Sequence, residues 1–152
     1  MGESIRWDSV ALGWLVALPT GLLLGPLVRV AYDALTGATV MPEELDSGLV
    51  IVSLVSGFLA YLFGGYVAGK FARRAGGLHG AMTAILGAVA GVVLGAFGIV
   101  VSGGILVALL GLGFGKISVS AALALFMAYV FGGYVGGKLG EPSDSAVRHL
   151  DN

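Results

Sequence analysis

The sequence predicts an all-α integral membrane protein with four transmembrane helices, arranged as two tandem helical hairpins. Hydrophobic residues make up 57% of the 152 residues and charged residues only 11%, whereas a soluble domain carries about 25% charge. The apolar runs are long enough to span a bilayer, which takes roughly 20 residues per helix. A stretch that ends one apolar run also occurs a second time, at the end of another. Composition, run length and internal repetition therefore indicate the same architecture.

The internal repeat indicates a duplicated helical hairpin. Residues 60–70 read Ala-Tyr-Leu-Phe-Gly-Gly-Tyr-Val-Ala-Gly-Lys, and residues 128–138 repeat nine of these eleven residues at an offset of 68. A fainter trace relates residues 20–25 to residues 90–95 at an offset of 70. Each copy holds two spans, so both copies enter the membrane in the same direction. Their symmetry axis should therefore lie along the membrane normal, as in parallel-repeat transporters.

The first span is predicted at about residues 10–28, or as far as Leu35. It contains Pro19 and Pro26, which remove backbone hydrogen bonds and bend a helix. Membrane helices tolerate proline when neighbouring groups satisfy the freed carbonyls. The acidic loop that follows, residues 36–48, is the only polar loop of any length.

The second span is predicted at about residues 49–70, and a short basic turn leads to a third span that begins near Leu78. The apolar run that follows is longer than a bilayer needs, so we expect a break at residues 102–104. Residues 105–114 would then form an apolar connector. The alternative is a long, tilted third helix that continues to Leu110.

The fourth span is predicted at about residues 117–138. All spans belong to a single membrane domain, in which the first repeat covers about residues 9–76 and the second about residues 77–140. Residues 141–152 are polar and are expected to form a mobile cytoplasmic tail.

The distribution of Lys and Arg predicts that both termini are cytoplasmic. Basic residues are enriched at the cytoplasmic ends of membrane spans. If both copies of the repeat end inside, six basic residues lie inside and two outside. The inside group is Arg6, Lys70, Arg73, Arg74, Lys138 and Arg148, and the outside group is Arg29 and Lys116. We therefore predict a multi-pass protein of the cytoplasmic membrane.

Glycines at helical i, i+4 spacing predict close packing between helices. No hydrophobic force draws helices together in lipid, and small residues let their backbones approach. The candidate helix-packing residues are Gly21, Gly25, Gly65, Gly69, Gly87, Gly91, Gly95, Gly133 and Gly137. These faces either pack together in a compact four-helix bundle or leave one glycine face for a partner.

Each copy of the repeat ends in a tyrosine and a lysine on one helix face. One interpretation is interfacial anchoring, because a lysine at a helix end extends to the head-group region. The alternative is a symmetric pair of cationic sites for lipid head groups or an anion. The candidate contacts are Tyr66, Lys70, Arg73, Arg74, Tyr134 and Lys138.

The centres of the predicted spans contain no Asp, Glu, Lys, Arg or His. Intramembrane charge usually marks a transport pathway, so its absence argues against an ion-coupled or proton-coupled transporter. Arg29 and Asp33 stand four residues apart near the outer end of the first span. They form either an interfacial salt bridge or a gate or ion-binding pair. A passive pore between subunits is compatible with this pattern.

The titratable residues do not form a catalytic or metal-binding pattern. His79 and His149 have no ligand spacing to acidic residues or to each other, and the chain has no cysteine. We expect His79 to be solvated or to cap a helix, and the hydroxyls of Ser56 and Thr83 to bond helix carbonyls. We therefore predict no enzyme activity, no cofactor, no metal and no nucleic-acid partner.

The stretch Phe63-Gly-Gly-Tyr-Val-Ala-Gly-Lys70, followed by a basic turn and Leu78-His-Gly-Ala-Met82, resembles a group of small prokaryotic multi-span membrane proteins. Those proteins carry a Gly-Gly-x-x-Ala-Gly-Lys or Arg helix end and a glycine-containing turn into the next span. The likeness covers roughly residues 57–95. The second copy departs from the pattern at Gly136, where alanine is preferred. The resemblance implies the fold and the cytoplasmic turn, and it implies no activity.

These observations predict a non-enzymatic membrane protein that acts through helix packing. It would work as a homo-oligomer or as an accessory subunit of a membrane complex, in contact with the lipid bilayer and with its own or other membrane-protein helices. The alternative is a small channel or transporter with a passive pathway at the pseudo-twofold axis or between protomers. A polar cavity on that axis would favour this alternative, and a dry glycine-packed axis would argue against it.

Overall fold

The computed structural model describes residues 5–37, 47–72, 74–102 and 119–142. These residues form four α-helices: α1 (Trp7–Thr36), α2 (Ser47–Ala72), α3 (Gly76–Ser102) and α4 (Val119–Gly140). Each of the four is long and apolar enough to cross a membrane. The predicted all-helical, four-span membrane architecture is therefore confirmed.

Helix α1 is longer than the predicted first span. It runs for 30 residues and continues through both Pro19 and Pro26. It ends at Gly37, whose φ of 66° is in the left-handed region, and the Gly37 N–H donates to the carbonyl of Asp33 at 3.0 Å. This is the usual glycine C-cap, which satisfies a carbonyl that the helix would otherwise leave open.

The remaining predicted boundaries fall close to the observed ones. Helix α2 begins two residues before the predicted span and ends two residues after it. Helix α3 likewise begins two residues early and is described as far as Ser102. The predicted break at residues 102–104 falls at the edge of the described residues and stays a prediction. The residues that lie outside the described part of the chain include most of the acidic loop, the connector at 105–114 and the tail from 143 onward.

The four helices alternate in direction, so that four helix ends meet on one side of the molecule. Arg6, just before α1, contacts Phe71 at the end of α2 and His79 at the start of α3. A Cβ placed on Gly76 would overlap the carbonyl of Gly137, near the end of α4. We call this side the Arg6 side. Both the beginning and the end of the described chain lie there.

Helices α2 and α3 form the centre of the bundle. Each of them contacts all three other helices, whereas α1 and α4 lie on opposite sides of the α2–α3 pair and do not touch within the described residues. Most of the buried residues are small, such as Ala60, Ala68 and Ala84, while large side chains such as Leu23 and Val30 are about two-thirds exposed. This distribution suits a bilayer, where large apolar side chains face lipid and small ones let helices approach.

Candidate functional site

Helices α2 and α4 meet through glycines that occupy equivalent positions in the repeat. A Cβ placed on Gly65 would overlap the carbonyl of Gly133, and one placed on Gly69 would overlap the carbonyl of Gly137. The members of each pair are 68 residues apart, which is the repeat offset. The two backbones are therefore in direct contact, and a larger residue at either position would have to push the helices apart.

Helix α3 joins the same contact, because a Cβ on Gly80 and one on Gly65 would both overlap the carbonyl of Gly133. A Cβ on Gly133 would overlap the carbonyl of Gly80, and one on Gly137 would overlap the carbonyl of Gly76. Gly133 and Gly137 therefore touch two helices at once. We call these contacts the glycine junction, which consists of Gly65, Gly69, Gly76, Gly80, Gly133 and Gly137.

Several glycines at close helix contacts were not among the candidates from the sequence. Gly76 and Gly80 belong to the turn that the sequence predicts before the third span, although the two also stand at i, i+4. On α4, Gly132, Gly136 and Gly140 lie against the main-chain carbonyls of α2 at Phe58, Leu62 and Tyr66. These three share the same spacing, so a search for every i, i+4 glycine pair would have found them.

Helix α1 docks through Gly13, which also was not a candidate. A Cβ on Gly13 would lie 2.7 Å from the Gly64 carbonyl oxygen, 2.8 Å from the Ala68 Cβ and 2.8 Å from the Thr83 Oγ1. Gly13 has no glycine one turn away, but Ala17 stands there and packs against Gly64. The sequence pattern that could have identified this contact is therefore a small residue followed by a second small residue four positions later, here Gly13 and Ala17.

Other candidate glycines lie outside these close contacts. A Cβ on Gly25 or on Gly91 would meet nothing within 4 Å, and one on Gly21 would make an ordinary 3.5 Å contact with the Ala60 Cβ. Gly87 lies under the hydroxyl of Tyr61. Gly95 lies in α3, and its surroundings are outside the described residues.

A pair of tyrosines continues the line of repeat-equivalent contacts. Tyr61 and Tyr129 are also 68 residues apart, and their rings stack with centroids 5.4 Å apart and an interplanar angle of 27°. The Tyr129 hydroxyl donates to the Ser53 carbonyl at 3.0 Å. Gly57 makes room for this arrangement, because a Cβ there would overlap the Tyr129 ring.

A polar cluster on the Arg6 side ties three helix ends together. The His79 Nε2 accepts the backbone N–H of Arg6 at 3.0 Å, and the His79 Nδ1 lies 3.0 Å from the carbonyl of Ala75. Both contacts are hydrogen bonds only in the neutral tautomer with its proton on Nδ1. His79 is only 4% exposed. Of the two roles expected for His79, solvation is wrong and helix capping is confirmed, because the ring caps the start of α1.

The guanidinium group of Arg6 extends the same cluster. Its Nη1 donates to the Phe71 carbonyl at 3.3 Å, and its Nη2 pairs with the Asp8 carboxylate at 2.8 Å. The Phe71 carbonyl lies in the last turn of α2, where a helix leaves carbonyls open and carries partial negative charge. Arg6 therefore links the end of α2 to the first turn of α1.

Two of the expected hydroxyl contacts are confirmed. The Thr83 Oγ1 donates to the His79 carbonyl at 3.0 Å, and the Ser56 Oγ donates to the Val52 carbonyl at 2.7 Å. Both residues are buried. Ser9 is also buried, and its hydroxyl has no partner among the described residues.

Replacing His79 with Phe should destabilise the bundle. The substitution removes the acceptor of the Arg6 N–H, and leaving a buried donor unsatisfied costs about 1–3 kcal/mol. The measurement is the free energy of unfolding in mixed micelles. Leu78→Phe introduces the same ring at an exposed neighbouring position and should leave the free energy nearly unchanged. Equal losses in the two variants would contradict the capping role of His79.

The tyrosine–lysine pairs lie on the Arg6 side with their polar ends accessible. Tyr66 and Tyr134 are each a little over 40% exposed, and both lysines, Lys70 and Lys138, are exposed. The second pair packs over the start of α3, since a Cβ on Gly77 would lie 2.8 Å from the Tyr134 ring and 3.0 Å from the Lys138 Cγ.

The other charged candidates are distributed along the molecule. Arg74 is exposed on the Arg6 side, and Arg73 lies outside the described residues. Arg29 and Asp33 are both half-buried, one turn apart in the last third of α1. The structure therefore places them far along α1 from Arg6 and the lysines.

The described ranges 5–37, 47–72, 74–102 and 119–142 contain no group of three or more His, Cys, Asp or Glu residues that could hold a metal ion. Comparisons of the chain with known protein families, with curated proteins and with solved structures find no match. The contacts within the molecule are thus the basis for assigning a function.

Proposed function

We propose that this chain is a non-enzymatic membrane protein that acts by packing transmembrane helices, either as a homo-oligomer or as an accessory subunit of a larger membrane complex. The observation that carries the proposal is the position of Gly133, which touches the backbones of both α2 and α3. Such contact is the main source of helix association in lipid. The described residues hold these helices together tightly and offer no cluster of metal ligands.

We further propose that the chain consists of two tandem hairpins related by a pseudo-twofold axis along the membrane normal. Three pairs of repeat-equivalent residues support this arrangement, because each pair meets at the contact between α2 and α4. They are Tyr61 with Tyr129, Gly65 with Gly133, and Gly69 with Gly137. A residue that contacts its own equivalent lies close to a twofold axis, as at the centre of a symmetric interface.

The open glycines are the proposed contact points for a second copy or a partner. Gly25 on α1 and Gly91 on α3 leave space where another helix backbone can approach closely. The glycine junction is already occupied within the chain. We therefore assign the glycine junction to the fold of one copy, and Gly25 and Gly91 to association with a second copy or a partner.

The proposal is tested by native mass spectrometry after gentle extraction of a tagged copy from its own membranes. We expect a homo-oligomer or a stoichiometric foreign subunit. The double variant Gly25→Leu and Gly91→Leu should release a folded monomer, because the added side chains hold the partner helix away. The matched control is Val30→Leu with Val92→Leu, at exposed positions on the same helices. A monomer without partners from the unaltered chain would refute the proposal.

The orientation is also a proposal, with the Arg6 side in the cytoplasm. The support is the excess of basic residues at the helix ends that meet there. The chain has no cysteine, so single cysteines give clean labelling. In intact cells, a membrane-impermeant maleimide should label Ser47→Cys and not Glu141→Cys. Permeabilised cells, in which both sites should react, provide the control. Labelling of Glu141→Cys alone in intact cells would reverse the orientation.

The exposed tyrosine–lysine pairs fit contact with the head groups of the cytoplasmic leaflet. In this arrangement Lys70 and Lys138 lie at the level of the phosphates, with Arg74 beside them. Each basic residue near an anionic membrane surface contributes about 1 kcal/mol of attraction. We propose these residues as lipid contacts that fix the depth of the bundle in the bilayer.

A small channel or transporter is the second candidate. The backbone contacts of Gly65 with Gly133 and of Gly69 with Gly137 argue against a pathway along the axis within one copy. A passive pathway would therefore lie between copies. A flux assay in liposomes tests this candidate, and flux above that of protein-free vesicles would support it.

A further inference from the structure

A groove opens on the surface of the bundle between α1 and α2, next to the stacked tyrosines. It has a volume of about 330 Å³. Small residues on both helices, Ala17 and Gly21 on α1 and Gly57 and Ala60 on α2, provide its space, and the rings of Tyr61 and Tyr129 contribute to its wall. The packing described above does not account for this space.

The groove lies in the middle of the membrane-spanning region. Ala17 is ten residues from the start of α1 at Trp7, which corresponds to roughly 15 Å along the helix axis. Tyr129 is ten residues from the start of α4 at Val119 and eleven from its end at Gly140. At this depth the surroundings of the protein are hydrocarbon.

The groove is continuous with the lipid-facing surface of α1. Leu18 and Leu22 border it and are 43% and 62% exposed. Together with Leu15 and Leu23, they form a band of exposed leucines that faces the bilayer interior. A chain that lies along this band can therefore enter the groove from the side.

Four hydroxyl-bearing residues line the groove, and three of them, all except Ser53, direct their hydroxyls elsewhere. The Tyr129 hydroxyl donates to the Ser53 carbonyl, and the Ser56 hydroxyl donates to the Val52 carbonyl. Tyr61 places its hydroxyl over Gly87 on α3, which does not line the groove. These hydroxyls therefore favour an apolar occupant over one that needs hydrogen-bond donors.

We infer that this groove binds the acyl chain of a bilayer phospholipid. Its volume is more than twice that of an apolar protein cavity of about 150 Å³ that holds a benzene molecule, so it accommodates a substantial part of one chain. The binding site is formed entirely by one copy of the protein, so the inference does not depend on the oligomeric state.

The test uses vesicles of phosphatidylcholine that carry a diazirine on one acyl chain. After irradiation, the lipid adducts are mapped by mass spectrometry. We expect adducts concentrated at residues 17–22 and 53–61, above the yield at exposed residues such as Val92 and Phe131. Uniform adducts over all lipid-facing residues would overturn the inference.

The matched variants are Gly21→Leu and Val30→Leu, which both place a leucine on α1. A Cβ on Gly21 makes only an ordinary contact with Ala60, so a leucine there fills the groove without separating the helices. Groove adducts should fall to the yield at other lipid-facing residues, because the leucine side chain occupies the space that the acyl chain would fill. Val30→Leu should leave them unchanged, because Val30 is exposed and does not line the groove.

Two outcomes would refute the inference. One is an equal adduct yield in Gly21→Leu and in the unaltered chain. The other is a photoreactive amino acid at Leu18 that crosslinks to a second copy and not to lipid, because the groove would then hold a neighbouring helix.

Discussion

The Gly133→Ala variant should lose about 3 kcal/mol of unfolding free energy, at the upper end of the range of about 1–3 kcal/mol for overpacking a well-packed interior. The added methyl group would overlap the Gly80 carbonyl, and Gly133 itself already lies against Gly65. Both Gly65 and Gly80 lie against the same Gly133 carbonyl, so α4 can make room for the methyl group only by moving away from α2 and α3 together, which would weaken both contacts. The free energy is measured by unfolding in mixed micelles.

The control for this prediction is Gly91→Ala. A Cβ on Gly91 meets nothing within 4 Å, and alanine favours a helix over glycine by about 1 kcal/mol. The control should therefore be as stable as the unaltered chain or more stable. If Gly133→Ala were equally stable, the three helices could not be in backbone contact at this position.

The Gly13→Leu variant should detach α1 from the bundle and leave the contacts among α2, α3 and α4 in place. A Cβ on Gly13 would lie within 3 Å of atoms from both α2 and α3, so a leucine side chain has no space there. Helix α1 makes no contact with α4 in the described residues, and the glycine junction does not include it. The detachment of α1 should therefore leave the packing of the other three helices unchanged.

A disulfide between α1 and α2 reports this detachment. The Cβ positions of Gly21 and Ala60 are 3.5 Å apart, within the Cβ–Cβ range of about 3.5–4.5 Å for a disulfide. Cysteines at both positions should crosslink efficiently in the unaltered background and poorly with Gly13→Leu. Gly25→Leu, on the same helix at an open position, should retain the crosslink. Efficient crosslinking in the Gly13→Leu variant would show that α1 docks by other contacts.

The existence and approximate limits of the spans could be predicted because bilayer insertion depends on local composition. A run of about 20 apolar residues spans a membrane irrespective of the rest of the fold. The limits of α2 fall within two residues of prediction. Helix α1 extends one residue beyond the longer of its two predicted limits, Leu35, and its C-cap is Gly37.

The partners of the candidate glycines could not be predicted from spacing. An i, i+4 pair shows that two residues share a helix face, but it does not show which way that face is turned. Gly65 and Gly25 have the same pattern in the sequence. The structure places Gly65 against another backbone and leaves Gly25 open, because the rotation of each helix depends on all of its neighbours.

The burial and the hydrogen-bond partner of His79 likewise could not be predicted from its neighbours in the sequence. Its neighbours in the sequence predict a turn at a helix start, and the structure confirms that position in α3. Its burial depends on Arg6, which is 73 residues away in the sequence. No local pattern indicates that the start of α1 would supply the N–H that the ring accepts.

The sequence by itself determined that this is a four-span, all-helical membrane protein, because the free energy of moving a helix into lipid is a sum over its own residues. It also placed small residues along helix faces. Only the tertiary structure decided which faces meet, which glycines remain open, and where Gly13 and His79 lie. Those features depend on the mutual rotation of four helices, and close packing allows few arrangements of their backbones.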